Sequence, residues 1–379
     1  MRILLVGEYN RSHASLKDGF VSLGHEATVV GMTDGFKKVD VDIEIKHYYK
    51  KKPNRYFRSA LVRLFKIDLH SKSVIRQLKK HKSKLQDSDV VQFINESSFL
   101  ATAKAEKKIF DMLASWNGKT FLLSCGTDYP SVKFAMDKKF RYSILTSYFE
   151  GKIDKSHFSL GLKYLKPDFQ QLHHHIYGKI HGVISNDLDY ALPLENHEKH
   201  LGMIPHVINT EKLKFTQLKI GEKIIIFHGI NRRNYFKKGN DIFEKALAEI
   251  EKRFRNKVNI ITIEDVPYSV YIKAFDSAHI LLDQIYAYDQ GYNALEAMAK
   301  GKVVFTGAEK EWLEYYNLKE DEVAINALPD VEAIVNKLEW LITNPEKLIE
   351  IAQNARNFVE REHDYIVCAK KYLEMYRRF

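Results

Sequence analysis

Short runs dominated by Ile, Val, Leu and Phe recur along this chain in two series. Ile3–Gly7, Ala27–Val30, Val90–Ile94, Thr120–Ser124 and Gly182–Ser185 form the first, and Ile224–His228, Val258–Thr262, Ile280–Asp283 and Val303–Phe305 the second. A strand with one wet face alternates apolar and polar residues, whereas successive apolar positions mark a strand covered on both faces, as in a parallel sheet between helices. Amphipathic stretches between the runs supply those helices, one ending near Leu23 and others around Asp189, from Asp241, near Tyr271 and from Ala294. The pattern predicts an α/β protein. The polar stretch Asn209–Gly221 divides the series, and 379 residues exceed one ordinary core. Two α/β domains are therefore expected, residues 1–208 and 209–360. The chain reads as helical from Pro329, with Pro345 at a helix start, and residues 361–379 form a last helix bearing Tyr365, Tyr372 and Tyr376.

Composition narrows the function classes. The chain is 45% hydrophobic and 12% aromatic, enough to fill two cores. MRILLVGEYN enters a strand at once and reads as a mature N-terminus, and no apolar run approaches the roughly 20 residues of a membrane-spanning helix. Cys125 and Cys368 stand far apart with no CxxC pair, which fits a reducing compartment, the cytoplasm. The net charge of +10 is unevenly placed, with thirteen Lys/Arg against the single acid Asp68 between Lys50 and Lys84. Tyr56, Phe57, Leu61, Leu64, Phe65 and Ile67 interleave with these cations, a pattern suited to peripheral contact with an anionic membrane; the plainer alternative is a solvated helix face. Aromatic nucleic-acid recognition motifs are absent, so no nucleic-acid partner is expected.

Two segments bear the chemistry. Asp283–Thr306, DQIYAYDQGYNALEAMAKGKVVFT, reads as strand, Gly-containing loop, helix start and strand. Gly291 lets backbone approach a ligand, the amides near Tyr292–Leu295 suit a diphosphate, and Glu296 lies one turn on, placed for a ribose. An ordinary turn with an exposed glutamate accounts for the same spacing. His228–Gly239, HGINRRNYFKKG, clusters Arg232, Arg233, Lys237 and Lys238 where a strand opens into a loop. Arginine forks across phosphate oxygens and lysine adds a point charge, and a solvated basic loop is the alternative. After the first strand Gly7-Glu8-Tyr9-Asn10 stands where a dinucleotide fingerprint would need GxGxxG.

Together these segments resemble the donor half of the retaining GT-B glycosyltransferases of family 4 type, the glycosyl transferases group 1. Arg233, Lys238 and Gly239 match the family's Arg and Lys-Gly, and Glu296-Ala297-Met298-Ala299-Lys300-Gly301 matches the end of its Glu-x7-Glu motif, followed by Lys302-Val303-Val304. The resemblance implies that Arg233 and Lys238 contact the donor diphosphate and stabilise the leaving group, and Glu296 the ribose. The motif's first glutamate falls at Tyr288, beside Asp289. Gln290, Gly291, Tyr292 and Asn293 are expected loop contacts to the donor, and Ile263, Glu264 and Val266 lie where such enzymes hold the base. In the N-terminal half, Leu23–Val29 and Asp89–Val91 resemble strands of the acceptor domain. The loop Gly7–His13 then faces the cleft, with Ser12 or His13 approaching acceptor or donor. Cys125 replaces the usual histidine of Ser124–Tyr129, and Asp128 is the expected acceptor contact or base, with helix capping as the alternative.

The implied architecture is GT-B: two Rossmann-like domains facing a central cleft, with residues 361–379 crossing back to the N-terminal domain. The implied activity transfers a sugar from a nucleotide-diphosphate sugar to a hydroxyl of a glycan or lipid-linked acceptor in bacterial surface polysaccharide or lipopolysaccharide synthesis, with retention and without a metal cofactor. His173–His175, adjacent on one helix, point in different directions and do not converge on an ion. The rivals are a GT-B nucleotide-sugar epimerase and a non-catalytic protein that binds anionic ligands.

Overall fold

The computed structural model describes residues 1–32, 39, 41–49 and 68–379. Seven parallel strands form the first sheet: β1 Arg2–Val6, β2 Glu26–Gly31, β3 Ile43–Glu44, β4 Val90–Phe93, β5 Lys119–Ser124, β6 Gly182–Ser185 and β7 His200–Met203. Their order is β3-β2-β1-β4-β5-β6-β7. The second sheet has β8 Ile224–Ile230, β9 Val258–Glu264, β10 Ile280–Leu282, β11 Val303–Thr306 and β12 Ile325–Asn326, ordered β12-β11-β10-β8-β9, again parallel. Residues 3–6 of β1 are wholly buried, as both-face covering requires. The chain reverses direction of travel between β1 and β4 and between β8 and β10. At such switch points neighbouring loops diverge and open a crevice at the strands' carboxyl ends.

The final helix, Tyr365–Arg378, lies on the first domain. It packs along the helix Ser12–Ser22 so closely that a Cβ on Gly19 would stand 2.3 Å from the Tyr365 carbonyl oxygen. Tyr376, fully buried, sets its ring 4.9 Å from that of Phe121. Its hydroxyl donates to Gln92 Oε1 at 2.7 Å; Gln92 Nε2 lies 3.2 Å from His13 Nε2, and His13 Nδ1 reaches the Gly7 carbonyl at 2.9 Å. A single polar chain thus ties the C-terminal helix to the loop that leaves β1.

Residues 50–67, with the aromatic part of the expected membrane segment, lie outside the described residues. Its remainder enters the helix Leu69–Lys80, capped by Asp68, which buries Val74 and Leu78 and exposes Lys72, Arg76, Lys79 and Lys80. The helix is amphipathic, with an exposed basic face. Among the described residues no helix is long and apolar enough to cross a membrane.

Two substitutions separate packing from hydrogen bonding at Tyr376. Tyr376→Ala is expected to cost about 3–5 kcal/mol through the cavity it leaves, and Tyr376→Phe about 1–2 kcal/mol through the buried Gln92 oxygen left unpaired. Urea unfolding of the two variants measures both, and equal costs would show that the hydrogen-bonded chain is idle.

Candidate functional site

A cavity of about 610 Å³ lies between the sheets, at the meeting of their switch points. Its second-domain wall comes from the loops after β8 and β10. Residues 231–239 leave β8 in two tight turns, Arg232–Asn234 and Phe236–Lys238, and Gly239 at φ 72° starts the helix Asn240–Phe254. Lys238 Nζ pairs with Asp283 Oδ1 at 2.9 Å, Asn293 Nδ2 donates to the same oxygen at 3.3 Å, and the Tyr271 hydroxyl donates to Asn293 Oδ1 at 2.8 Å. Lys237 lines the cavity with its Nζ 5.0 Å from the Phe158 ring centre; burial, then the Arg233 charge, lowers its pKa. Arg233 is exposed, and its guanidinium makes no ion pair or hydrogen bond among the described residues.

The helix Tyr292–Ala299 starts behind Gly291 with no side-chain cap, so its first amides remain available to an anion. Gln290 donates to the Gly307 carbonyl at 2.6 Å while its Oε1 stays buried and unpartnered. Glu296 lies half-buried one turn on and outside the cavity lining, where its charge acts on Tyr268 and Tyr271. Gln290, Gly291, Tyr292 and Lys238 all line the cavity; Asn293 joins them through Asp283.

Two expected donor contacts are placed elsewhere. Glu264 forks onto Arg232, Oε1 to Nε at 2.5 Å and Oε2 to Nη2 at 2.6 Å, on the exposed rim. The Arg232 guanidinium already holds this carboxylate. Tyr288, expected in the donor site, turns out of the cavity toward the first domain: its hydroxyl accepts from the Arg141 amide at 2.8 Å, and the Arg141 guanidinium lies 4.7 Å over its ring. Arg141 also clamps Glu309 at 2.5 Å and Glu311 at 2.5 Å. An aromatic ring has apolar area to bury, and the seam between domains with Phe140 and Tyr142 offers it.

The seam holds a second device that sequence reasoning missed. First-domain Asp189 accepts from the Tyr288 amide at 3.2 Å, and second-domain Asp289 accepts from the Leu188 amide at 3.3 Å. Beside them His206 Nε2 lies 3.1 Å from Asp187 Oδ2, and the His206 ring packs 4.6 Å from that of Tyr292. Burial pushes all three carboxyls up, Asp289 to about 8, and lowers His206 to about 4. The signal available was position: Asp187 and Asp189 directly follow β6, at its carboxyl end.

On the first-domain wall, Glu8, Tyr9, Cys125 and Thr127 line the cavity. Ser12 is buried near Cys125 and Tyr292. His13 is fully buried behind this wall, spent on Gly7 and Gln92, and burial lowers it to about 4. Asp128, expected as a base, caps the helix Tyr129–Met136 instead: Oδ1 accepts from the Ser131 amide at 2.9 Å and Oδ2 from the Ser124 hydroxyl. Both oxygens face inward, and burial raises the carboxyl to about 6. The three histidines diverge, with His173 on Glu96 at 2.6 Å, His175 on Asp111 at 2.7 Å and His174 exposed.

The seam carboxyls bind protons more tightly folded than unfolded, so their contribution to stability is complete below about pH 4 and fades as pH climbs toward about 8. Asp289→Asn, which keeps an oxygen for the Leu188 amide, is expected to make the fall in melting temperature between pH 6 and 8.5 shallower than in the parent; an unchanged slope would remove this carboxyl from the balance.

Residues 233–374 match a family model described as glycosyl transferase-like. Among curated proteins none matches the chain. Over its whole length the fold matches sucrose-phosphate synthase from Thermosynechococcus elongatus (TM-score 0.64, 13% identity, 100% of this chain and 99% of that one). It also matches Anabaena HepE, solved with UDP-glucose (TM-score 0.57, 13% identity, 100% of both chains). A third match is WaaG, a glycosyltransferase involved in lipopolysaccharide biosynthesis (TM-score 0.56, 12% identity, 99% of both). With a glycosyl transferase-like segment over residues 233–374 and two parallel sheets facing one cleft, the chain shares the two-domain fold of these proteins.

Proposed function

We propose that the protein transfers a sugar, with retention, from a uridine diphosphate sugar to a hydroxyl of a lipid-linked acceptor in surface polysaccharide or lipopolysaccharide synthesis. The reading rests on the unlike walls of one cavity. The second-domain wall offers Lys237, Lys238 and an uncapped helix N-terminus, with the free Arg233 near Lys237. The first-domain wall adds an apolar patch of Val132, Ile144, Leu145, Phe158, Leu160 and Leu162, of which Ile144 and Leu160 remain 40% and 54% exposed. Exposed apolar groups gathered on one cavity suit an acceptor with a hydrocarbon portion. HepE complexes with UDP and with UDP-glucose support the donor class.

In the proposed step the acceptor hydroxyl attacks the anomeric carbon from the face the diphosphate leaves. The carbon–oxygen bond to the diphosphate breaks, and the hydroxyl proton passes to the departing phosphate oxygen. Arg233, Lys238 and the helix amides stabilise that oxygen, Glu296 holds the ribose, and closure of the cleft excludes water. No metal ion enters the step. The enzyme would work at the cytoplasmic face of the membrane, its basic N-terminal segment against anionic lipid.

Thermal shift against UDP, GDP, ADP and CMP tests the donor site. UDP at a hundred times its Kd is expected to add about 2.7 kcal/mol of stability, and Arg233→Ala and Glu296→Ala to abolish most of it. No shift with any nucleotide would favour a binder of other anions. Assaying the sugar without acceptor separates an epimerase, which would convert it.

Acceptor chain length tests the apolar wall. Leu160→Asp and Ile144→Asp, at half-exposed positions that tolerate a charge, are expected to lower kcat/KM about 10- to 100-fold for a dodecyl glycoside, on the scale of about 1.5–3 kcal/mol for one buried side chain. Methyl glycoside turnover and UDP binding should hold. Equal losses on both acceptors would place the hydrocarbon elsewhere.

A further inference from the structure

Glu8 follows Gly7 at the point where β1 opens into the cleft. It is 7% exposed and lines the cavity. Its Oε2 accepts from the Ala14 amide at 2.8 Å, while its Oε1 is buried with no hydrogen-bond partner among the described residues. The side chain has nowhere to withdraw, because β2 passes directly behind it: a Cβ on Gly31 would stand 2.9 Å from that of Glu8. The ionisable groups around it are Arg11 on its own loop, Cys125 after β5 and Tyr292 on the helix across the cleft, with Asp187 beyond Cys125. Glu8 therefore faces the first turn of Tyr292–Ala299, the uncapped helix start proposed above for the donor diphosphate.

A carboxylate opposite a diphosphate would repel it, whereas a carboxylic acid donates a hydrogen bond to it. We propose that Glu8, as the neutral acid, donates its proton in a hydrogen bond to a phosphate oxygen of the bound donor, so that the first domain grips the nucleotide only in the protonated state. This rests on the glycosyltransferase reading. Burial, set against the amides of Ala14, Arg11 and Ser12, holds the Glu8 carboxyl at about 8, so it is largely neutral at pH 7. An approaching anion raises it further, and binding above that pH must draw a proton from solution. A protonated glutamate is also no nucleophile, which agrees with a displacement that forms no covalent enzyme intermediate.

Calorimetric titration of UDP into the full chain, in two buffers of different ionisation enthalpy at pH 8.5, reads that proton directly. The parent is expected to take up about three-quarters of a proton per UDP and to bind about tenfold more weakly at pH 9 than at pH 7, as a group titrating near 8 requires. Glu8→Gln keeps a donor that cannot titrate; it should bind like the parent at pH 7, lose the alkaline weakening and show no uptake of its own. Glu8→Ala should bind more weakly than the parent at pH 7 and lose the alkaline weakening. Uptake equal in parent and Glu8→Gln, or tighter binding by Glu8→Gln at pH 7, overturns the assignment of Glu8 alone. No UDP binding by the parent at any pH removes the donor reading together with it.

Discussion

Two carboxylates reach across the cleft in opposite directions, Asp189 to the Tyr288 amide and Asp289 to the Leu188 amide, and the rest of the site depends on that exchange. Each domain lends an acid to the other's backbone, so neither hydrogen bond survives an open cleft. The loop Tyr288–Gly291 is consequently set from both sides, and the helix amides that follow it take their position only when the domains meet. Burial makes the arrangement tolerable because the acids are driven toward neutrality; a seam of three ionised carboxylates would push itself apart. Arg141, over Tyr288 and onto the buried Glu309 and the part-exposed Glu311, closes the outer edge of the same seam with its guanidinium partly in water.

The first-domain wall is held by a different means. Tyr376, Gln92, His13 and the Gly7 carbonyl form one hydrogen-bonded line from the C-terminal helix to the end of β1. Each member is buried, so each lost partner would strand a polar group in a medium that cannot solvate it. The line ends one residue before Glu8. A helix from the far end of the chain therefore fixes the residue that lines the first-domain wall of the cleft, which gives the crossing of the last segment a role beyond covering the sheet.

Sheet and layer were readable because Ile3–Val6, Gly182–Ser185 and Val303–Phe305 have no wet face, and that pattern admits few alternatives. β3, β7 and β12 were not, since two to four residues with polar members carry no periodicity, and their pairing is imposed by neighbours already in place. Side-chain direction was the harder matter. His13, Ser12 and Asp128 follow strands, as ligand-binding residues do, yet two of them are consumed by local structure, one on a carbonyl and one on a helix start. Nothing in spacing distinguishes an aspartate that caps from one that faces a substrate, because both sit where a strand hands over to a helix. Tyr288 was placed at the donor through the motif's spacing, while its side chain obeys burial and leaves for the seam.

The acids along the cavity would suggest a site for cations if they were counted as charges. Burial alters that count. Glu8 and Asp289 are held at about 8, and Asp187 is pushed up by the same desolvation, so near neutrality these groups are mostly uncharged acids. Lys238 is matched by Asp283, but Lys237 in the wall and Arg233 beside it have no carboxylate of their own. Unmatched cations over a low-dielectric wall set the sign of the potential in a closed cleft. The charge balance of the cavity therefore favours an anion in spite of its acids, because the burial that brings them into the wall also neutralises them.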